Sequence, residues 1–332
     1  MLNTSRALLL FGLLGSSLAH AMDYRIETVT EGLEHPWSLA FLPDGRMLVT
    51  ERVGRLRIIE ADGSLNPQPV GGVPEGFVAA QAGLMEVILD PEFASNQQLY
   101  LSYAYGTTQA NNTRLSKARL VDGQLQDVQV LFTAQPAKSG AAHYGGRMAW
   151  LPDNTLVLTL GDGFDWREQA QNTSNHLGKI VRLNRDGSAP KDNPLVGQAG
   201  AAAEIYSLGH RNVQGIVYDN QLQRLYSHEH GPRGGDELNL IEPGNNYGWP
   251  LITYGIDYTG DSVVFGLASK GVGAGATMKS KGLYTCIFSD ACNTHRIAFF
   301  VAPTSAKLQG DGNVHRFHYG LQNIGDQLLV FQ

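Results

Sequence analysis

The chain has 332 residues and a formal net charge of −6, with only 25 Lys and Arg scattered along it. That excludes a nucleic-acid partner, because neutralising phosphates needs a clustered basic patch. Only two cysteines occur, Cys286 and Cys292. They permit one small disulfide loop or two free thiols, and His295 alone does not complete a zinc site.

Taken in order, Met1 to Ser5 is mostly polar, and Arg6 adds a positive charge ahead of the apolar run Ala7 to Leu14. Small residues follow, and Ala19-His20-Ala21 has the form of a signal-peptidase site. The run is too short to cross ~30 Å of hydrocarbon. A signal peptide over residues 1–21 is therefore expected, with a periplasmic or secreted product. No later stretch reads as a membrane span.

Beyond it, Gly is abundant, and turn signals separate short apolar or alternating runs: Met47 to Thr50, Leu56 to Ile59, Leu99 to Tyr103 and Leu156 to Leu160. These patterns predict strands, and little of the chain carries helical periodicity. A loose repeat is visible. Trp37 to Leu42, the turn Pro43-Asp44-Gly45, then Met47 to Val49 forms a strand–turn–strand unit. The units 83–101, 146–158 and 212–227 read the same way. Their spacing accommodates about four short strands plus loops, the size of a propeller blade. The expected fold is all-β, a six-bladed β-propeller, with an irregular β-sandwich array as the alternative. A propeller would gather polar loops at one end of its channel.

Three loop clusters carry candidate chemistry. His143 sits in Ala142-His143-Tyr144-Gly145-Gly146-Arg147, directly before a strand. A histidine there can reach a cavity and act as a general base, and Asp162 in Gly161-Asp162-Gly163 could orient its ring. A loop histidine with no role is the alternative. Arg211, Asn212 and Gln214 lie together at a strand entry, where a guanidinium can pair with carboxylate or quinone oxygens. His228-Glu229-His230-Gly231-Pro232, then Asp236-Glu237, offers carboxylate and carbonyl oxygens of the kind Ca²⁺ takes, although no EF-hand pattern is present. The four tryptophans, Trp37, Trp150, Trp166 and Trp249, read as packing residues. No dinucleotide fingerprint opens a helix, and no G-x-S-x-G elbow occurs.

Together, several segments resemble the soluble quinoprotein aldose sugar dehydrogenases, the glucose/sorbosone dehydrogenase family. They are Gly32 to Phe41, Gln81 to Leu84, His143 to Arg147, Asn175 to Asn184, Gly209 to Asn212, Glu229 to Pro232 and Asn245 to Pro250, in that order. The resemblance implies a six-bladed propeller holding pyrroloquinoline quinone (PQQ) and Ca²⁺ at the channel mouth. It implies oxidation of an aldose at C1 to the lactone, with electrons passed to an external acceptor. His143 matches the family's base and Asp162 the carboxylate behind it. Gln81, Arg211, Asn212 and Tyr258 match quinone-contacting positions, and Arg211 would also stabilise developing charge. Gly231 and Pro232 match the loop whose backbone oxygens hold the quinone-bound Ca²⁺. Glu237 and Tyr247 look like ligands of a second, structural Ca²⁺. The competing functions are a non-catalytic sugar- or protein-binding propeller and a Ca²⁺-dependent lactonase.

After about Gly260 the motif resemblance ends. The expected organisation is therefore a signal peptide at 1–21, a propeller region at 22–260, and a divergent segment at 261–332 with incomplete final blades. A change of reading frame near codon 260 accounts for this pattern, with true divergence the alternative. Lys307, Arg296 and Arg316 receive no role.

Overall fold

The computed structural model describes residues 26–259, 320–324 and 327–331. The expected signal peptide, both cysteines, and Arg296, Lys307 and Arg316 lie outside the described residues.

Between residues 36 and 241 the chain forms four antiparallel sheets in succession. The first holds β2 (Pro36–Phe41), β3 (Met47–Glu51) and β4 (Arg55–Ile59). The second holds β5 (Leu84–Leu89), β6 (Gln98–Gly106), β7 (Asn111–Val121) and β8 (Gln124–Thr133). The third holds β9 (Gly145–Trp150), β10 (Leu156–Leu160), β11 (Lys179–Leu183) and β12 (Ile205–Leu208). The fourth holds β13 (Val213–Asp219), β14 (Arg224–Glu229) and β15 (Glu237–Ile241). A fifth sheet joins β1 (Ile26–Glu31) to β17 (Gln327–Phe331), which pairs with β16 (Gly320–Ile324). The described residues thus form an all-β molecule of five sheets, one fewer than the six blades expected.

Each repeat seen in the sequence marks the first hairpin of a sheet. Its turn is built the same way every time. The carboxylate of Asp44, Asp90, Asp153 or Asp219 accepts the backbone N–H two residues on, from Arg46, Glu92, Thr155 or Gln221. An aspartate can close such a turn with its own side chain. Strands such as Leu156–Leu160 are buried along their whole length because sheets cover both faces. Leu48, Leu56, Leu84 and Leu101 fill the space between the first and second sheets. Leu115, Met148, Leu158 and Val181 fill the next gap, and Val157, Ile180, Leu225 and Ile241 the one after.

The first strands of successive sheets lie side by side, β2 against β5, β5 against β9 and β9 against β13. Each carries a register break near its start. A bulge leaves backbone groups unpaired, and a hydroxyl from the second strand takes them up. Thr50 Oγ1 accepts from Ser38 N (3.0 Å) and donates to Met85 O in the next sheet (2.5 Å). Ser102 bridges Glu86 N and Gly146 O in the same manner, and Thr159 bridges Arg147 N and Val213 O. These hydroxyls latch each sheet to the following one.

Where the bulges meet, Arg147 is fully buried. Its Nε donates to Gln214 O (2.9 Å), Nη2 to Trp37 O (3.3 Å) and Nη1 to Glu86 Oε1 (3.2 Å), and its guanidinium lies 3.6 Å from the centre of the Trp37 ring. Glu86 also accepts from Ser38 Oγ and Met148 N. One ion pair therefore touches the first strand of all four sheets. Burial pushes the Glu86 carboxyl up and the Arg147 guanidinium down to about 10. Desolvation thus outweighs the pair's attraction, and its value lies in fixing the geometry of the junction.

Candidate active site

His143 ends the loop that leads into β9, with φ at 51°, a left-handed conformation. Its backbone N–H is fixed by Gln81 Oε1 at 2.8 Å. The ring is only 5% exposed, and Asp162 not at all. His143 Nδ1 lies 2.7 Å from Asp162 Oδ1. The same carboxylate accepts Phe164 N (2.8 Å) and the Trp249 indole N–H (2.7 Å). With the carboxylate acting only as acceptor, Nδ1 carries the proton, and Nε2 is left as a lone-pair acceptor. Nε2 has no protein partner among the described residues. Burial lowers the His143 pKa from the ordinary 6.5, opposed by Asp162 and assisted by the positive charge of Arg211. The imidazole is therefore neutral at neutral pH and able to take a proton.

Arg211 and Asn212 follow the loop after β12 and are both buried. Arg211 Nη1 donates to His230 O (3.0 Å) and Nη2 to Tyr258 Oη (3.2 Å). Its backbone oxygen accepts from Asp162 N (2.8 Å), which ties the guanidinium-bearing loop to the carboxylate behind His143. Asn212 Oδ1 accepts from Gly145 N (3.2 Å) and Gln214 Nε2 (3.0 Å). Both amide side chains, Gln81 and Asn212, are thus pinned through their oxygens. Their NH₂ groups have no protein partner among the described residues. Around His143 the structure gathers Gln81, Asp162, Arg211, Asn212 and Tyr258.

The loop after β14 adjoins this cluster through His230 O, which Arg211 holds. Gly231 N donates to Asp236 Oδ1 (2.9 Å), and a side chain at Gly231 would collide with the Gly234 and Gly235 carbonyls, 2.1 and 2.6 Å from its Cβ position. Arg233 pairs backbone-to-backbone with Ile256, which brings the Tyr258 segment alongside Pro232. Glu237 is pushed up to about 7 by burial and by the charge of Glu229. A cation would relieve that crowding of carboxylates. Tyr247 lies elsewhere: its hydroxyl donates to Leu240 O (2.6 Å) and accepts from Glu242 N (2.9 Å), and no contact joins its side chain to Glu237 among the described residues. Among the described residues no group of three or more His, Cys, Asp or Glu side chains is placed to hold a metal ion. A hard ion bound here would have to draw on carbonyl oxygens.

Several supporting residues escaped sequence reasoning. Trp249, assigned to packing, holds Asp162. Glu229, assigned to a hard-ion set, is engaged by His210 Nδ1 (2.9 Å), Arg211 N (2.5 Å) and Asn239 Nδ2 (3.3 Å). His210 Nε2 in turn meets Ser207 Oγ at 2.9 Å, and its ring stacks on Tyr247. This buried Ser207–His210–Glu229 chain braces the backbone of Arg211. Lys138 is buried beneath Gly163, bonded to Asn111 Oδ1 (3.1 Å) and Gly140 O (3.3 Å), and burial pushes its amine down to about 8. The Asn245 to Pro250 motif was the available signal for Trp249; nothing local pointed to Lys138.

Comparison with known proteins identifies the family. The family model for glucose / sorbosone dehydrogenase matches residues 33–283, well over half of the chain. The aldose sugar dehydrogenase YliI of Escherichia coli is 41% identical over 239 residues, covering 71% of this chain and 64% of that protein. The chain thus spans somewhat less than two thirds of that relative. The crystal structure of the soluble aldose sugar dehydrogenase of Escherichia coli in its apo-form aligns with a TM-score of 0.70 at 39% identity, covering 72% of this chain and 70% of that one. The PQQ-bound form of an aldose sugar dehydrogenase from Streptomyces coelicolor aligns with a TM-score of 0.62 at 31% identity, covering 72% and 70%. Matched over most of its described length in both sequence and fold, the chain belongs to the glucose/sorbosone dehydrogenase family.

Proposed function

We propose that this chain is an exported quinoprotein that oxidises the C1 hydroxyl of aldose sugars to lactones and passes the electrons to an external acceptor. The reading includes cleavage of residues 1–21, a periplasmic or secreted location, a six-bladed propeller plan, and bound PQQ and Ca²⁺. The observation that carries it is a buried, neutral imidazole with a free Nε2, near donors that keep N–H groups beyond those already engaged. Arg211, the Gln81 amide and the Asn212 amide suit a ligand rich in carbonyl and carboxylate acceptors. PQQ is such a ligand, and the PQQ-bound relative from Streptomyces coelicolor supports the choice.

When bound, PQQ supplies the hydride acceptor and Ca²⁺ a polarising charge. This chain's own residues do the rest. His143 Nε2 takes the C1 hydroxyl proton as the C1 hydrogen leaves with its electron pair, and the C1–O bond becomes a carbonyl. Asp162 keeps the imidazole in the required tautomer and stabilises it once charged. Trp249 and the Phe164 N–H hold Asp162 in place. Arg211, with its backbone fixed by Glu229, is set to stabilise negative charge on a bound acceptor oxygen. Gly231 and Pro232 would offer carbonyl oxygens to the quinone-bound ion, and Glu237 with the Tyr247 backbone to a second one.

The test is reconstitution of the purified protein with Ca²⁺ and PQQ, followed by glucose and an artificial electron acceptor. Sugar-dependent dye reduction that vanishes in His143→Ala is the expected result. Absence of quinone binding overturns the reading, and lactone hydrolysis with Ca²⁺ alone replaces it with a lactonase.

A further inference from the structure

We propose that Phe164 is the platform on which the sugar ring rests, and that it selects substrates presenting an apolar pyranose face; this deepens, and depends on, the sugar-oxidation reading above. Phe164 follows Gly161-Asp162-Gly163, and two left-handed residues in a row, Gly163 (φ 79°) and Phe164 (φ 69°), fold the chain back on itself. A bulky residue rarely adopts that conformation, and such departures gather at ligand sites. Here the fold-back is fixed by the bond from Phe164 N to Asp162 Oδ1. One carboxylate thus sets both the imidazole and the backbone that presents the phenyl ring.

The ring lies 5.0 Å from the His143 ring, with the planes 80° apart, and 6.1 Å from the Tyr258 ring. It remains 44% exposed. An apolar ring held open beside a proton acceptor gains by being covered, and pyranose rings carry a face of C–H groups that pack on aromatic surfaces. The sugar, rather than the cofactor, is the fitting occupant. Phe164 touches His143, whose Nε2 must meet the C1 hydroxyl. Among the described residues no hydrogen bond, ring pair or cation–π contact joins the donors suited to quinone oxygens, Arg211, Asn212 and Gln81, to Phe164. Tyr258, its aromatic neighbour, is already engaged through its hydroxyl by Arg211.

The experiment compares wild type, F164A and F164W, each loaded with Ca²⁺ and PQQ, on glucose and on glyceraldehyde, which is too short to form a pyranose but offers a C1 hydroxyl as its hydrate. For F164A the KM for glucose should rise about tenfold with kcat within about threefold, the loss expected when a stacked ring is removed from ground and transition state alike. The KM for glyceraldehyde should stay unchanged, F164W should restore the glucose KM, and PQQ affinity read by absorbance titration should match wild type. An unchanged glucose KM in F164A, an equal rise for both sugars, or a parallel fall in PQQ affinity overturns the platform while leaving an active wild type and its sugar oxidation intact. A wild-type protein that binds no PQQ and oxidises neither sugar overturns both readings.

Discussion

His143 and Arg147 stand on the same short segment, and both are buried beside a carboxylate. Their surroundings differ in one respect. Arg147 directs its guanidinium to protein, reaching Glu86, two backbone oxygens and the Trp37 ring. His143 uses Nδ1 for Asp162 and leaves Nε2 without a protein partner. Fully satisfied polar groups specify one packing; a polar group held rigid yet unsatisfied is prepared for something that arrives later. The contrast separates a structural pair from a chemical one on geometry alone.

Substitution can break that contrast. The largest effect belongs to His143→Ala, which should lower kcat about a thousandfold, within the range for loss of a general base. Unfolding midpoint and PQQ titration should match wild type; a destabilised variant would place His143 in the structural class. Arg147→Met should show the reverse pattern. Leaving Glu86 buried and unpaired costs about 3–5 kcal/mol, read as a lowered urea midpoint. Undiminished stability would mean the hub is not needed.

Asp162→Asn should also lower kcat, through loss of tautomer control, with the fold retained. It also fixes a sign in the pH profile. The active imidazole is neutral, and its pKa already lies below the ordinary value, so kcat/KM falls only at acid pH. Asp162 raises that pKa, so its removal should move the acid limb to still lower pH. A limb moving upward would show that another group titrates there. The smallest effect is expected for Thr159→Val, which removes one latch between the third and fourth sheets. It should cost about 1–2 kcal/mol in chemical unfolding with kcat unaltered.

Much of the fold was legible because it repeats a local device. An aspartate that closes its own turn leaves a mark in sequence, and the four marks correspond to the four first hairpins. His143, Asp162 and Arg211 were legible through their glycine-rich settings and the ordered family motifs. Glu86 was not, since a lone carboxylate among Met85 and Val87 reads as an outward position on an alternating strand. Only the bulge turns it toward Arg147. The bonds of Trp249 and Glu229 were illegible for a related reason: residue type limits what a side chain can bond, but long-range topology chooses the partner. Phe164 is the extreme case, because its placement depends on a fold-back that no hydrophobic pattern records.

The hub has a consequence for motion. Sheets linked only to their neighbours open one after another from an end, as units of a linear array do. Arg147 joins the first sheet directly to the fourth as well as to the second, so neither the first nor the fourth sheet can detach without exposing a buried ion. In hydrogen–deuterium exchange, the amides of Ser38, Glu86 and Met148 should then share one opening free energy and behave as a single cooperative unit. Native-state breathing that admits solvent to His143 should then involve its own loops, leaving the junction itself closed.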